Sequence, residues 1–148
     1  MRAFALLYLL SLHLAFAIQD SYKRPSLEQC DEISIESPYS WAITILSDGS
    51  GHIGYGSSGT DRVSFPKGTF DFASAYKELI GISGENVSSA KSICFFLHRK
   101  GDESTSAIQT TNIDFFMKFF EKARKGSSGF EETRLPSIWE KHSPQDIN

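Results

Sequence analysis

Residues 39–57 constrain the fold more than any other stretch of this chain. Trp41, Ile43 and Ile45 alternate with Ala42, Thr44 and Leu46, the period-two pattern of a strand with one buried face. Ser47-Asp48-Gly49-Ser50-Gly51 follows, a cluster of turn formers, and a second extended run carries Ile53 and Tyr55. The segment therefore predicts a β-hairpin. A two-residue turn at Asp48-Gly49 would throw the large apolar groups of the two strands onto opposite faces and waste their burial. An odd loop of three or five residues, with Gly49 or Gly51 at positive φ, avoids this. It pairs Ile45 with Ile53 and Ile43 with Tyr55. The other face of the hairpin is then Ala42, Thr44, Gly54 and Gly56, almost without side-chain cover. Bare backbone allows a helix, a ligand or another chain to approach closely. The commonest occupant of such a face is one of the chain's own helices. The alternative is a binding surface formed by these four residues.

The amino terminus reads as a processing signal. Arg2 supplies a positive end, an almost wholly apolar run covers residues 3–14, and Ala15-Phe16-Ala17 fits a small-x-small cleavage site. The run is shorter than the ~20 residues a spanning helix needs, so no membrane span is expected after processing. An N-terminal core helix is disfavoured because no amphipathic face is visible. Residues 1–17 are thus assigned to a cleaved signal peptide, and a secreted or periplasmic location is expected. Fifteen Lys and Arg face eighteen Asp and Glu, and losing Arg2 with the leader takes the net charge from −3 to about −4. That balance argues against nucleic acid as a partner.

What remains suits one domain with a real core, rich in Phe. Residues 18–32 read as a flexible arm, 33–126 as a single α+β domain and 127–148 as a polar tail. Cys30 and Cys94 allow one intrachain disulfide. Against that bridge, Cys94 lies in an apolar run, where a free thiol acts as a small hydrophobe.

Along the chain, residues 33–36 alternate weakly and predict a short edge strand ended by Pro38. Val63 and Phe65 suggest another strand before the turn at Pro66-Lys67-Gly68. Asp71 is placed to cap a helix through Ile80. Its stripe would be Phe72, Ala75, Tyr76, Leu79 and Ile80, with Gly81 closing it in αL geometry. Asn86-Val87-Ser88 matches the glycosylation acceptor pattern. Ile93-Cys94-Phe95-Phe96-Leu97 is apolar on both faces and predicts a central strand, and residues 105–110 its return partner. Thr111 and Asn112 are alternative caps for a second helix closed by Gly126. Ile113, Phe116, Met117 and Phe120 form its stripe, and Thr111 with Asp114 has capping-box spacing. Leu135, Ile138 and Trp139 could dock on the core. The economical architecture is a two-layer α+β sandwich: a mainly antiparallel sheet of about five strands with two helices on one face.

No catalytic set assembles from spacing. Two overlapping G-x-G-x-x-G matches, Gly49-Gly51-Gly54 and Gly54-Gly56-Gly59, lack the strand-to-helix context of a dinucleotide site, so no cofactor is expected. Asp48-Gly49-Ser50-Gly51 lacks the further oxygen ligands of a calcium loop. No C-x-x-C or H-E-x-x-H occurs, and no metal site is expected. Cys94 and His98 would sit about 13 Å apart along one strand, too far for a nucleophile–base pair. The acidic pairs Asp31-Glu32, Asp102-Glu103 and Glu131-Glu132 have the look of solvated loops. Ser57 and Ser58 lack a nucleophile elbow. The leading expectation is a small exported, non-enzymatic protein that binds another protein or an envelope or extracellular component, as an inhibitor or immunity factor does. The alternatives are a small secreted hydrolase using His52, Asp61, Arg62 and His98, and a structural surface protein. The first alternative requires those four side chains to converge.

Overall fold

The computed structural model describes residues 24–56, 61–82, 92–101 and 105–143. The leader, Asn86, Ser57, Ser58, Gly59 and the Asp102-Glu103 pair lie outside the described residues. The chain is α+β. Six strands, β1 (Cys30–Glu36), β2 (Trp41–Leu46), β3 (Gly51–Tyr55), β4 (Asp61–Phe65), β5 (Ile93–Arg99) and β6 (Thr105–Thr110), form one sheet in the order β4-β3-β2-β1-β5-β6. Every neighbouring pair is antiparallel. Three α-helices accompany it, α1 (Phe72–Ile80), α2 (Ile113–Gly126) and α3 (Leu135–His142). Each of the six extended segments read from the sequence becomes a strand, against the overall expectation of about five, and the described residues hold one helix more than the two expected.

Alternation decides which face is buried. Ile33 and Ile35 of β1, Trp41, Ile43 and Ile45 of β2, Ile53 of β3, and Phe95 and Leu97 of β5 are all fully inaccessible. Against this face α2 sets Phe116, Phe119 and Phe120, and α1 sets Phe72, Ala75, Tyr76 and Leu79. Leu135 and Phe130 of the C-terminal segment join the same core.

The hairpin follows the expected parity with a different register. The loop has three residues, with Gly49 at φ 80°, and Leu46 N–H donates to Ser50 C=O across it. Ile43 therefore pairs with Ile53, Ile45 with Gly51, and Trp41 with Tyr55. The gap left opposite Ile45 is filled from β4: a Cβ on Gly51 would lie 2.7 Å from the Phe65 ring.

Position in the sheet differs from expectation too. β1, predicted as a short edge strand, lies between β2 and β5 at the centre. Its two isoleucines bury as deeply as those of β2, and Pro38 sits in the β1–β2 turn without ending the sheet. The apolar strand β5, predicted in the middle, is second from the edge. Ile80 is 38% exposed, outside the α1 stripe. Asp71 does cap α1, its carboxylate accepting from Ser74 N–H at 3.0 Å, but Gly81 stays right-handed at φ −76°. Asn112 caps α2 by accepting from Phe115 N–H, which settles the choice against Thr111. Tyr76 donates its hydroxyl proton to Pro25 C=O and so fixes the segment before β1 onto α1.

Candidate functional site

The core-bearing side of the sheet leaves the other side to a mostly polar surface. Register places its residues in cross-strand rows. Arg62, Gly54, Ala42, Glu36, Cys94 and Gln109 form one row, and Ser64, His52, Thr44, Ser34, Phe96 and Ala107 the next. Leu46, Glu32 and His98 follow. Ala42, Thr44 and Gly54, three of the four residues of the bare hairpin face, meet here directly: Ala42 opposes Gly54, and Thr44 opposes His52. Among the described residues no helix contributes its buried stripe to this side, whereas the hairpin's small face was expected to take one. The nearest atom to a Cβ built on Gly54 is the Asp61 carbonyl oxygen at 3.9 Å, so a Cβ there would make only an ordinary contact.

Gly56 stands apart from the other three. It lies past the end of β3 at φ 83°, and its N–H donates to Ser40 C=O at 2.9 Å. Ser40 itself holds φ 64°, where a side chain costs about 1–2 kcal/mol. Beside these two residues a groove of about 430 Å³ opens, lined by Glu36, Ser37, Pro38, Ser40, Trp41, Ala42 and Gly56.

The four residues of the hydrolase alternative do not come together. Asp61 shares the core-side face with Val63 and Phe65 at the sheet edge, and Arg134 approaches it at 3.7 Å. Arg62 faces the opposite way. His52 and His98 share the helix-free side, yet β2 and β1 separate them, a span of about 14 Å at ordinary strand spacing. His98 Nε2 instead lies 3.6 Å from Glu32 Oε1, and Ser34 donates to the same oxygen at 3.1 Å. Ser64 and Thr44 flank His52 across the ladder, but no hydrogen bond joins either hydroxyl to the imidazole. The surface offers donors, acceptors and both signs of charge without a base poised on a nucleophile.

Cys30 and Cys94 are both free thiols. Cys94 opposes Glu36, six positions along β1 from Cys30. That is about 20 Å, against the ~7 Å limit for a bridge. Their side chains also leave opposite faces of the sheet. Burial pushes the Cys30 thiol up, with a bond to the Glu32 carbonyl pulling the other way.

Burial is also the larger cause holding the His52 pKa below 6.5, followed by the Arg62 cation, with Glu32 opposing both. The unfolded chain consequently takes up this proton more readily than the folded one. Stability is full above the unfolded value, falls as pH drops through it, and levels off below the folded value. In urea melts across this range His52→Gln should flatten that part of the pH profile. An unchanged slope would place the titration elsewhere.

Sequence reasoning singled out His52, His98 and Glu32 separately but missed that Glu32 meets His98 and that Ser64 lies opposite His52. Alternation reports which face a residue takes; only the strand order says who its neighbours are. Among the described residues no three His, Cys, Asp or Glu side chains form a group able to hold a metal. No helix among them is long and apolar enough to cross a membrane. Neither the comparison with protein-family models nor those with curated protein sequences and solved structures returns a match.

Proposed function

We propose that this chain is a small exported, non-enzymatic binding protein that docks another protein, or an envelope or extracellular component, on the helix-free side of its sheet, as an inhibitor or immunity factor would. The observation that carries the reading is the bare patch at Ala42, Thr44 and Gly54. The patch carries little side-chain bulk, with Ala42 and Thr44 half-buried and Gly54 buried among its neighbours, and the half-buried His52 and the exposed Arg62 and Glu36 surround it with polar groups. Flat surfaces of this kind recognise through main-chain proximity and a polar rim. Export rests on the leader-like segment and gives the partner's compartment as secreted or periplasmic.

A paired experiment tests the reading. The mature protein serves as bait in its native compartment beside Gly54→Tyr, a substitution that puts bulk on the patch with a better strand former. A partner retained by the wild type and lost with Gly54→Tyr is the expected result. A partner that binds both equally, or no partner at all, overturns it. Amino-terminal sequencing of the native protein should begin near Ile18, and an intact Met1 would remove the export argument.

A further inference from the structure

The two edges of the sheet are not treated alike. β4 carries Asp61 and Arg62, runs into Pro66, and has Arg134 drawn to within 3.7 Å of Asp61; charge, proline and cover are the ordinary means of keeping an edge from pairing. β6 has neither the charge nor the proline. Its six residues, Thr-Ser-Ala-Ile-Gln-Thr, include no charge and no proline. Its pairing with β5 runs unbroken from Thr105 to Thr110 without a bulge. It ends the sheet, and among the described residues no strand lies beyond it. Alternate N–H and C=O groups of such a strand point outward as a template for another.

We propose that β6 is the seam of a two-fold homodimer in which it pairs antiparallel with β6 of a second copy. A two-fold axis perpendicular to the sheet preserves its faces, so only residues of like parity can oppose each other. Ile108 then meets Ile108 or Ser106 of the second copy on the core side. Ala107 meets Ala107 or Gln109 on the other. Every one of these pairings is neutral, whereas a net charge of −3 repels copies elsewhere on the surface. The same axis keeps both helix layers on one side, and Ile108, already buried in one chain, stays on the core side of the joined sheet. The helix-free sides become one surface carrying the bare patch twice. The dimer does not depend on the binding role of that patch.

Sedimentation equilibrium of the purified protein over a concentration series tests the seam, together with amide exchange resolved along β6. The expected result is twice the mass of one chain, with all β6 amides protected. Ala107→Lys sets two like charges opposite or diagonal to each other at the seam, on a side chain that is exposed in one copy. It should raise the dimer dissociation constant about tenfold or more, while Ala107→Thr leaves it within about twofold. A protein that stays monomeric throughout overturns the proposal. So does a dimer whose alternate β6 amides exchange freely or whose association is indifferent to Ala107→Lys, since its interface then lies elsewhere.

Discussion

Trp41→Ala is expected to lower the unfolding free energy by about 3–5 kcal/mol, the usual cost of emptying a buried aromatic site. Trp41 is fully inaccessible. Its ring meets Tyr55 at 5.0 Å, Phe120 edge-on at 5.3 Å and Trp139 edge-on at 5.3 Å. Its indole N–H donates to the His142 carbonyl at 3.1 Å. A single side chain at the start of β2 thus ties the sheet to the middle of α2 and to both turns of α3. Alanine would leave a cavity under Trp139 and strip the last carbonyl of α3 of its donor. Domains are stable by only about 5–15 kcal/mol, so the variant should be near the limit of folding. Trp41→Phe keeps the ring contacts and loses the donor, and should cost roughly 1–3 kcal/mol. The chain has two tryptophans, so in either variant Trp139 is the sole indole emitter. It stacks on Phe120 at 4.2 Å, and its emission should shift to the red in Trp41→Ala at low urea if α3 has come away. A loss below about 1 kcal/mol for Trp41→Ala, with unchanged Trp139 emission, would show that α3 does not depend on this anchor.

That anchor also shows where the sequence stops being informative. Trp41 on the buried side of a hairpin follows from alternation with Ile43 and Ile45, and needs no knowledge of the rest of the chain. Its bond to His142 spans 101 positions, and nothing local announces it. The same division runs through the sheet. The strand at Ile33 and Ile35 is visible as a period of two, but its place at the centre follows from pairing on both sides, with β2 and with β5. Pro38 beside it invited an edge assignment because proline cannot join a ladder; in the structure the proline falls in the turn and the ladder is undisturbed. Apolarity on both faces of β5 pointed to the middle of the sheet. Cys94 and Phe96 are only half-buried on the helix-free side, so their apolarity reports a modest depth and not a second covering layer. For the candidate site, the bare residues Ala42, Thr44 and Gly54 were readable as a set from parity alone. Which side of the sheet would take the helices was not, because that choice balances the whole of one face against the other. Here the isoleucines and aromatics of all six strands outweigh a few small residues on the hairpin.

Two glycines of the same strand, three positions apart, should respond oppositely to the same substitution. Gly51→Ala is expected to destabilise by about 1–3 kcal/mol or more, as overpacking of a closed site does. A Cβ there would fall inside contact distance of the Thr44 carbonyl oxygen and within 2.7–2.9 Å of two carbons of the Phe65 ring. The carbonyl belongs to the neighbouring strand and cannot turn aside without breaking the β2–β3 ladder. Phe65, only 2% exposed, tilts against Phe70 at 5.3 Å, which in turn stacks on Phe119 at 5.8 Å. Moving the first ring disturbs the contact of α2 with the sheet. Gly54→Ala meets nothing closer than 3.9 Å, and it removes backbone freedom from the unfolded chain. It should be neutral or stabilise by up to about 1 kcal/mol. Urea unfolding of the two variants beside the wild type compares them with composition held constant, so the difference reports the register. If Ile45 faced Ile53 across a five-residue loop, Gly51 would lie in that loop and tolerate alanine more readily. Equal midpoints for the two variants would therefore contradict the pairing of Ile45 with Gly51, and with it the packing of Phe65 over the hairpin.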